Sequence, residues 1–519
     1  RSCVYCSKTQ LRKPDPPYDN HLTGARRKKA MNRNGLTTSI GMGLHAFSKD
    51  ELETIHRGAC HILKHTGVLV EMEEAAERFG SAGALVVKKG SNWLVKIPEW
   101  MVTDSLSSVA KSVTYYARDP AKDFYMEKGH VGFSTFGEQV NLIDLKTRQY
   151  RNTIKEDCNN VYRLVDALDG LAWCQRTVCP GDKKAASQAV HNFESLITHN
   201  SKHITIGMVD KKSVETIVKM AAAAMGGMDQ LRERPICTCS CCVTSPLTLA
   251  TQCCETLIAA LEAGINVDIM AMALSGGTGP VTLAGTIVQT IAEHLAGLVL
   301  AQAVKKGSCV TFGSCSTIMD LKTGLTSVGA PEWSMVGTAI AKMAQYYGIP
   351  CRIGAGVSDS KAPDAQAGYE FCFNVLPIAL SGANMVFGAG GLETGLTFDY
   401  AKLIMDHECI TNIHKLISGV KVDQESMALN LIDEIGPGGS YLTHDHTFQH
   451  TRSQSQAVVF DRKTRAQWLQ SSNGKNLTEM AYEKARQIIE NHKPVGLRPG
   501  AKKTIKDLLE EFEADVAGN

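Results

Sequence analysis

VDIMAMALSGGTGPVTLAGTIVQTIAEHLAGLVLAQAVKKGSCVTFGSC, residues 267–315, carries the fold in one unit. The apolar run VDIMAMA (267–273) empties into a Gly/Ser loop, and a long Ala/Leu-rich helical stretch follows. After Gly307 a second apolar run, CVTFGSC (309–315), begins. Two strands joined through a helix pair in parallel, and strands this continuously apolar are buried on both faces. Outward from this unit the same rhythm gives strands at VGFSTF (131–136), LAWCQR (171–176), HITIGM (203–208), ICTCSC (236–241), RIGAGV (352–357) and MVFGAG (385–390). Helical stretches between them stop at Gly227, Gly264, Gly307, Gly348 and Gly382, where a left-handed cap is wanted. Eight units within residues 126–420 predict a (β/α)8 TIM barrel. An open doubly wound sheet is the competitor, but VGFSTFGEQ lacks the G-x-G-x-x-G turn such a sheet places after its first strand.

Residues 31–125 read as an N-terminal α+β extension. Ser48 and Glu51 form a capping box ahead of an amphipathic helix, and ALVVKKGSNWLVKIP (84–98) reads as a hairpin turning at Gly90–Asn92. Residues 421–519 form a helical extension through LTEMAYEKARQIIENH and TIKDLLEEFEADV, expected on the barrel exterior or in a homo-oligomer interface. Residues 1–30 hold eight Lys/Arg against two Asp, three prolines and no apolar period. That head is expected to be a disordered basic arm or an appended, non-native sequence.

With 44% hydrophobic and 21% charged residues, the 519-residue chain is ordinary globular protein. A formal net charge of +2 gives no reason to expect nucleic acid. No apolar run is expected to reach the ~18–20 residues of a membrane span. The head has no apolar signal region, so a cytoplasmic location is expected. Seventeen cysteines then imply free thiols in a reducing compartment, a density that suits an anaerobe.

Barrel chemistry gathers at the C-terminal strand ends. Those ends are rich in small residues and hydroxyls, and only Glu138, Asp359 and Glu393 stand out as carboxylates. Such a rim suits a small ligand with a large partner above it. Several Arg, as a wide anion clamp needs, are not expected there. Lys361 follows the seventh strand between Asp359 and Asp364. The flanking acids would hold its ammonium protonated, so as plain lysine it is a poor nucleophile. A Schiff-base lyase using Lys361 is nevertheless an alternative, testable by borohydride trapping. Two metal readings stand beside it. Cys237, Cys239 and Cys241 share one face of a strand next to Cys242, and His444, His446 and His450 lie in YLTHDHTFQH, read as a polar loop capping the barrel. No metal is expected at either.

ALSGGTGPVTLAGTIVQTIAEHLAGLVLAQ, TSVGAPEWSMVGTAIAKMAQYYGIP, SDSKAPDAQAGYE, LSGANMVFGAGGLETGLTFDYAKLIMDHE and GPGGSYLTHDHT together resemble the trimethylamine methyltransferase superfamily of corrinoid-dependent methyltransferases, from about residue 45 to the C-terminus. The resemblance implies a barrel that binds a methylated amine at its mouth. It also implies a separate corrinoid protein docking there, whose Co(I) accepts the methyl group, as in methanogenesis from methylamines. Trimethylamine-using methanogen members carry pyrrolysine, which a twenty-letter sequence writes as lysine, and Lys361 is its best match here, ahead of Lys322. On this reading Glu393 or Glu138 protonates the pyrroline imine. Phe136, Gln175, Asp359, Trp333, Tyr369 and Phe398 are the candidate substrate-binding residues. If position 361 is plain lysine, the substrate is expected to be a quaternary amine such as glycine betaine.

Overall fold

Residues 37–38, 43–44, 46–127 and 129–517 are described by the computed structural model. The basic head, residues 1–30, lies outside them. Eight parallel strands form the centre: β1 (His130–Thr135), β2 (Trp173–Gln175), β3 (His203–Gly207), β4 (Cys237–Val243), β5 (Asn266–Ala271), β6 (Val310–Ser314), β7 (Cys351–Gly354) and β8 (Met385–Ala389). Each pairs with its sequence neighbour from β2 to β8, and β8 pairs with β1 through Met385↔Gly132. The ring closes where Phe133 bridges Leu171 and Ala172 N–H donates to the Phe133 carbonyl at 2.8 Å. The result is a TIM barrel.

Between and after the strands run α1 (Lys155–Ala167), α2 (Gln188–His199), α3 (Lys211–Met225), α4 (Thr251–Ala263), α5 (Leu283–Val304), α6 (Pro331–Tyr347), α7 (Ala365–Leu380) and α8 (Tyr400–Ile417). Gly264 and Gly348 cap α4 and α6 with φ of 88° and 67°. α3 ends one residue earlier than its Gly-Gly pair suggests, with Gly226 as the left-handed cap.

The 22-residue helix α5 has the length and composition of a membrane span, which the apolar-run reading did not anticipate. It is apolar all round because it is covered all round. Its inner side lies on β5, and its outer side packs against the N-terminal helices Lys49–His61, Glu73–Ser81 and Glu99–Ser108. Ser48 and Glu51 cap the first of these reciprocally, and the hairpin Leu85–Lys89/Asn92–Lys96 lies beside the second.

The lower end of the barrel is plugged by a second hairpin, Val113–Tyr115/Phe124–Met126. Tyr115 stacks on His203 at the start of β3 with ring centroids 3.9 Å apart, and Phe124 stacks on Trp173. A Cβ at Gly132 would stand 2.8 Å from the Phe124 ring, so the plug needs a glycine there. Chemistry is therefore confined to the other end. Two C-terminal helices, α9 (Leu477–Asn491) and α10 (Ala501–Ala517), pack outside the barrel, on α8 and α1 and on α3 and α2 respectively.

Candidate active site

Strand alternation decides what faces the lumen. On β4, Cys237, Cys239 and Cys241 point outward into the core beneath the helices, whereas Thr238, Ser240 and Cys242 point inward. The same alternation turns Asp268 of β5 and Arg352 of β7 toward each other across the barrel. Their side chains meet at 2.5 Å and are almost wholly buried. Arg352 also donates to Gln175 Oε1 at 2.8 Å and Ser240 Oγ at 3.0 Å, and it lies over the Phe387 ring. Gln175 in turn donates to the Thr135 carbonyl. Burial pushes the Asp268 carboxyl up, while the guanidinium beside it pulls the other way. The same pairing holds Arg352 firmly cationic. Desolvating two charges is costly, so a pair kept here suggests a constraint other than stability.

Above this floor the walls are mixed. Cys242 is open to solvent although protein surrounds it on every side, and burial pushes its thiol up to about 12. Cys315 and Met270 stand near it, with Phe136 stacked on Phe387 at 6.0 Å. Trp333 backs Phe136, and its indole N–H has no partner. Missing side chains make the room. A Cβ at Gly354 would come within 2.8 Å of Cys315 Sγ and 2.9 Å of Trp333, and one at Gly313 within 2.8 Å of Met270 Cε.

At the rim Glu138 has a φ of 65°, in the left-handed region that a glutamate adopts only at some energetic cost. That turn aims its half-exposed carboxylate over Gly207, where a Cβ would sit 2.8 Å from Oε1. Arg176 lies 3.4 Å away. Gln139, fully buried next to it, leaves both amide atoms unpaired.

Of the residues singled out from sequence, the fold places Glu138 at the rim, Phe136 in the wall with Trp333 behind it, and Gln175 in the floor. Asp359 lies beside the mouth in a supporting position. Its carboxylate accepts from Ser327 Oγ, Val328 N, Gly329 N and Thr394 Oγ1, which ties the loop after β6 to the loop after β8. Glu393, with a φ of 52°, accepts from Thr397 Oγ1 at 2.6 Å and from the Tyr150 hydroxyl at 3.5 Å. Lys361 is exposed. Its ammonium donates to the Asp359 carbonyl at 2.7 Å, and it borders an outer groove of about 560 Å³ with Arg148, Lys475, Tyr482 and Arg486. Phe398 is buried against Tyr400 outside the ring, and Tyr369 is exposed on α7. Lys322 is exposed in a turn held by Asp320.

His444 caps the short helix Asp445–His450, on which the rings of His446 and His450 lie tilted with centroids 4.3 Å apart, and the segment is half-buried to exposed throughout. Among the described residues no three His, Cys, Asp or Glu come together as a metal set. Arg352 and Asp268 were missed in the sequence, although the period-two pattern of RIGAG and NVDIMA was the available signal.

A closed parallel barrel, plugged below and with Glu138, the exposed Cys242 and the ring of Phe136 at its open end, is the architecture of a barrel enzyme acting on a small molecule. The chain belongs to the trimethylamine methyltransferase (MTTB) family, whose model matches residues 21–517. It is 40% identical to the trimethylamine methyltransferase MttB of Desulfitobacterium hafniense (strain DCB-2), covering 94% of this chain and 98% of that one. Identity to the trimethylamine methyltransferase MttB of Methanosarcina thermophila is 33%, covering 89% and 96%. It is also 30% identical to the glycine betaine methyltransferase of Desulfitobacterium hafniense (strain Y51), over 87% and 94%.

Proposed function

We propose that the chain moves a methyl group from a methylated amine, trimethylamine first, to Co(I) of a corrinoid carried by a separate protein that docks on the barrel mouth. The observation that carries this reading is the chamber of Phe136, Phe387, Cys242 and Glu138, in a chain that belongs to this family over nearly its whole length.

The chemistry sets what these residues must do. When a methyl group leaves nitrogen, the C–N electron pair stays on nitrogen, so a neutral amine departs only if the nitrogen carries positive charge beforehand. Among the described residues that face the chamber there is no electrophile to supply that charge covalently. A pyrroline ring at position 361 does not fit this role, because the side chain leads along the outer groove and touches none of Cys242, Arg352 or Glu138. The amine therefore binds as a cation, protonated in the case of trimethylamine. Glu138 offsets that charge from the rim, and the faces of Phe136 and Phe387 favour it from the side. Both leave one methyl directed out of the mouth, where positioning supplies much of the rate. Met272, Val281, Leu321, Leu325 and Leu396 stand exposed on the loops around the opening and offer the docking partner an apolar rim.

The lack of an electrophile in the chamber also favours a second reading, a quaternary amine that is cationic from the start. Purified chain, reduced corrinoid protein and either trimethylamine or glycine betaine distinguish the two by loss of the Co(I) absorbance. Turnover with neither substrate would refute the proposal.

A further inference from the structure

The groove that Lys361 borders lies on the outer flank of the mouth and encloses about 560 Å³, the size of a small-molecule site. Three separate stretches of chain wall it: the hairpin Asn141–Ile143/Tyr150–Asn152, the loop after β7, and the start of α9 with the residues just before it. The lining brings four cations, Arg148, Lys361, Lys475 and Arg486, against the two carboxylates of Glu479 and Glu483, and is therefore two charges positive. Lys475 is engaged by Glu483 at 2.7 Å, and the Glu479 carboxylate accepts from Asn476 N–H at 2.8 Å. Among the described residues Arg148, Lys361 and Arg486 have no carboxylate partner.

These cations stand on braced supports. Arg148 has a φ of 61°, in the left-handed region that a residue with a Cβ adopts only at some cost. Its guanidinium lies over the Tyr482 ring, 3.3 Å from the centroid, and donates from Nη1 to the Leu145 carbonyl at 2.8 Å. The Tyr482 hydroxyl in turn donates to the buried Asp399 carboxylate. On the facing wall the Lys361 ammonium is held by the Asp359 carbonyl, and Thr478 Oγ1 ties α9 to the Pro363 carbonyl at 3.3 Å. Like charges held toward one space repel each other until an anion enters between them. The rest of the lining, Ile143, Ala362 and Pro363, is apolar.

We propose that this groove binds a small phosphate monoester, with the phosphate among Arg148, Lys361 and Arg486 and the organic part on Ile143 and Pro363. A dianion matches the two surplus positive charges, which one carboxylate would only halve. Guanidinium forks and an ammonium are the donors that phosphate oxygens take. Inorganic phosphate alone would leave most of the volume, and all of the apolar wall, without contact.

Isothermal titration calorimetry of the full chain with phenyl phosphate, inorganic phosphate and benzoate, at one ionic strength, tests this. Phenyl phosphate is expected to saturate at one per chain, about tenfold tighter than either of the others, and Arg148→Gln/Arg486→Gln to weaken it about tenfold with methyl transfer retained. No saturation at millimolar phenyl phosphate, equal affinity for benzoate or inorganic phosphate, or unchanged affinity in the variant overturns the proposal. Should the variant misfold, phenylglyoxal labelling of the native chain decides. Phenyl phosphate is expected to slow labelling of Arg148 and Arg486 about tenfold and to leave Arg57, exposed on the first N-terminal helix, unaffected. Equal slowing of all three arginines, or of none, overturns it.

Discussion

Replacing Arg352 with Met removes the guanidinium from the barrel floor while keeping a side chain of similar length. Asp268 is then left wholly buried, its Oδ2 retaining only the Ser240 hydroxyl at 3.3 Å and its Oδ1 already without a partner. Gln175 loses the donor to its Oε1 as well. Stranding one member of a buried ion pair costs about 3–5 kcal/mol. Asp268→Leu in the same background removes the stranded charge, so the double variant is expected to regain most of that loss, with a coupling of several kcal/mol between the sites. Urea unfolding followed by tryptophan fluorescence reads this directly, since Trp173 lines the same lumen. The reasoning is refuted if Arg352→Met unfolds within about 1 kcal/mol of the parent, or if the double variant is no more stable than the single one.

Three further outcomes are expected. Glu138→Gln keeps the fold, because the side chain is half exposed, but lowers kcat/KM for the methylated ammonium about tenfold, close to 1.4 kcal/mol of transition-state binding; an unchanged value removes Glu138 from the site. Asp359→Ala frees four donors at roughly 1 kcal/mol each, so the melting temperature falls and the 317–330 hairpin becomes sensitive to protease; an unaltered melt and digest would contradict the anchoring role. Burial lowers His203 to about 3 and His294, His407 and His414 to about 4, against 6.5 when unfolded. Between pH 6.5 and 4 the unfolded chain therefore binds these protons and the folded chain does not, so stability falls as pH falls. Asp406, raised to about 6, opposes this with one proton. These five groups alone give a slope near pH 5 of about 4 kcal/mol per pH unit, which the raised carboxyls of Asp268, Glu293 and Asp399 reduce; the slope is measurable as the urea midpoint against pH, and a flat or inverted profile there would be inconsistent with four neutral buried imidazoles.

The barrel was legible because each strand carries its own burial pattern and each helix its own stop; seven of the eight strands fall within two residues of their expected ends, and β7 stops three residues early, at Gly354. The floor of the site was not. Arg352 and Asp268 are tolerable inside a barrel only as a pair, and 84 positions separate them in the chain. The strand-end rule brought Glu138 and Phe136 to the mouth and Gln175 to the floor beneath them, but did not show which way a loop turns after its strand. Asp359 is pinned to residues 327–329, and that anchoring sends the next residues, Lys361 among them, outward.

The claim that a methylated ammonium binds inside the barrel mouth is tested most directly by a crystal structure of the chain with tetramethylammonium. The account predicts density for the cation against Phe136 and Cys242, beneath the Glu138 carboxylate. Density instead in the outer groove beside Lys361 and Tyr482, with the mouth filled by water, would contradict it.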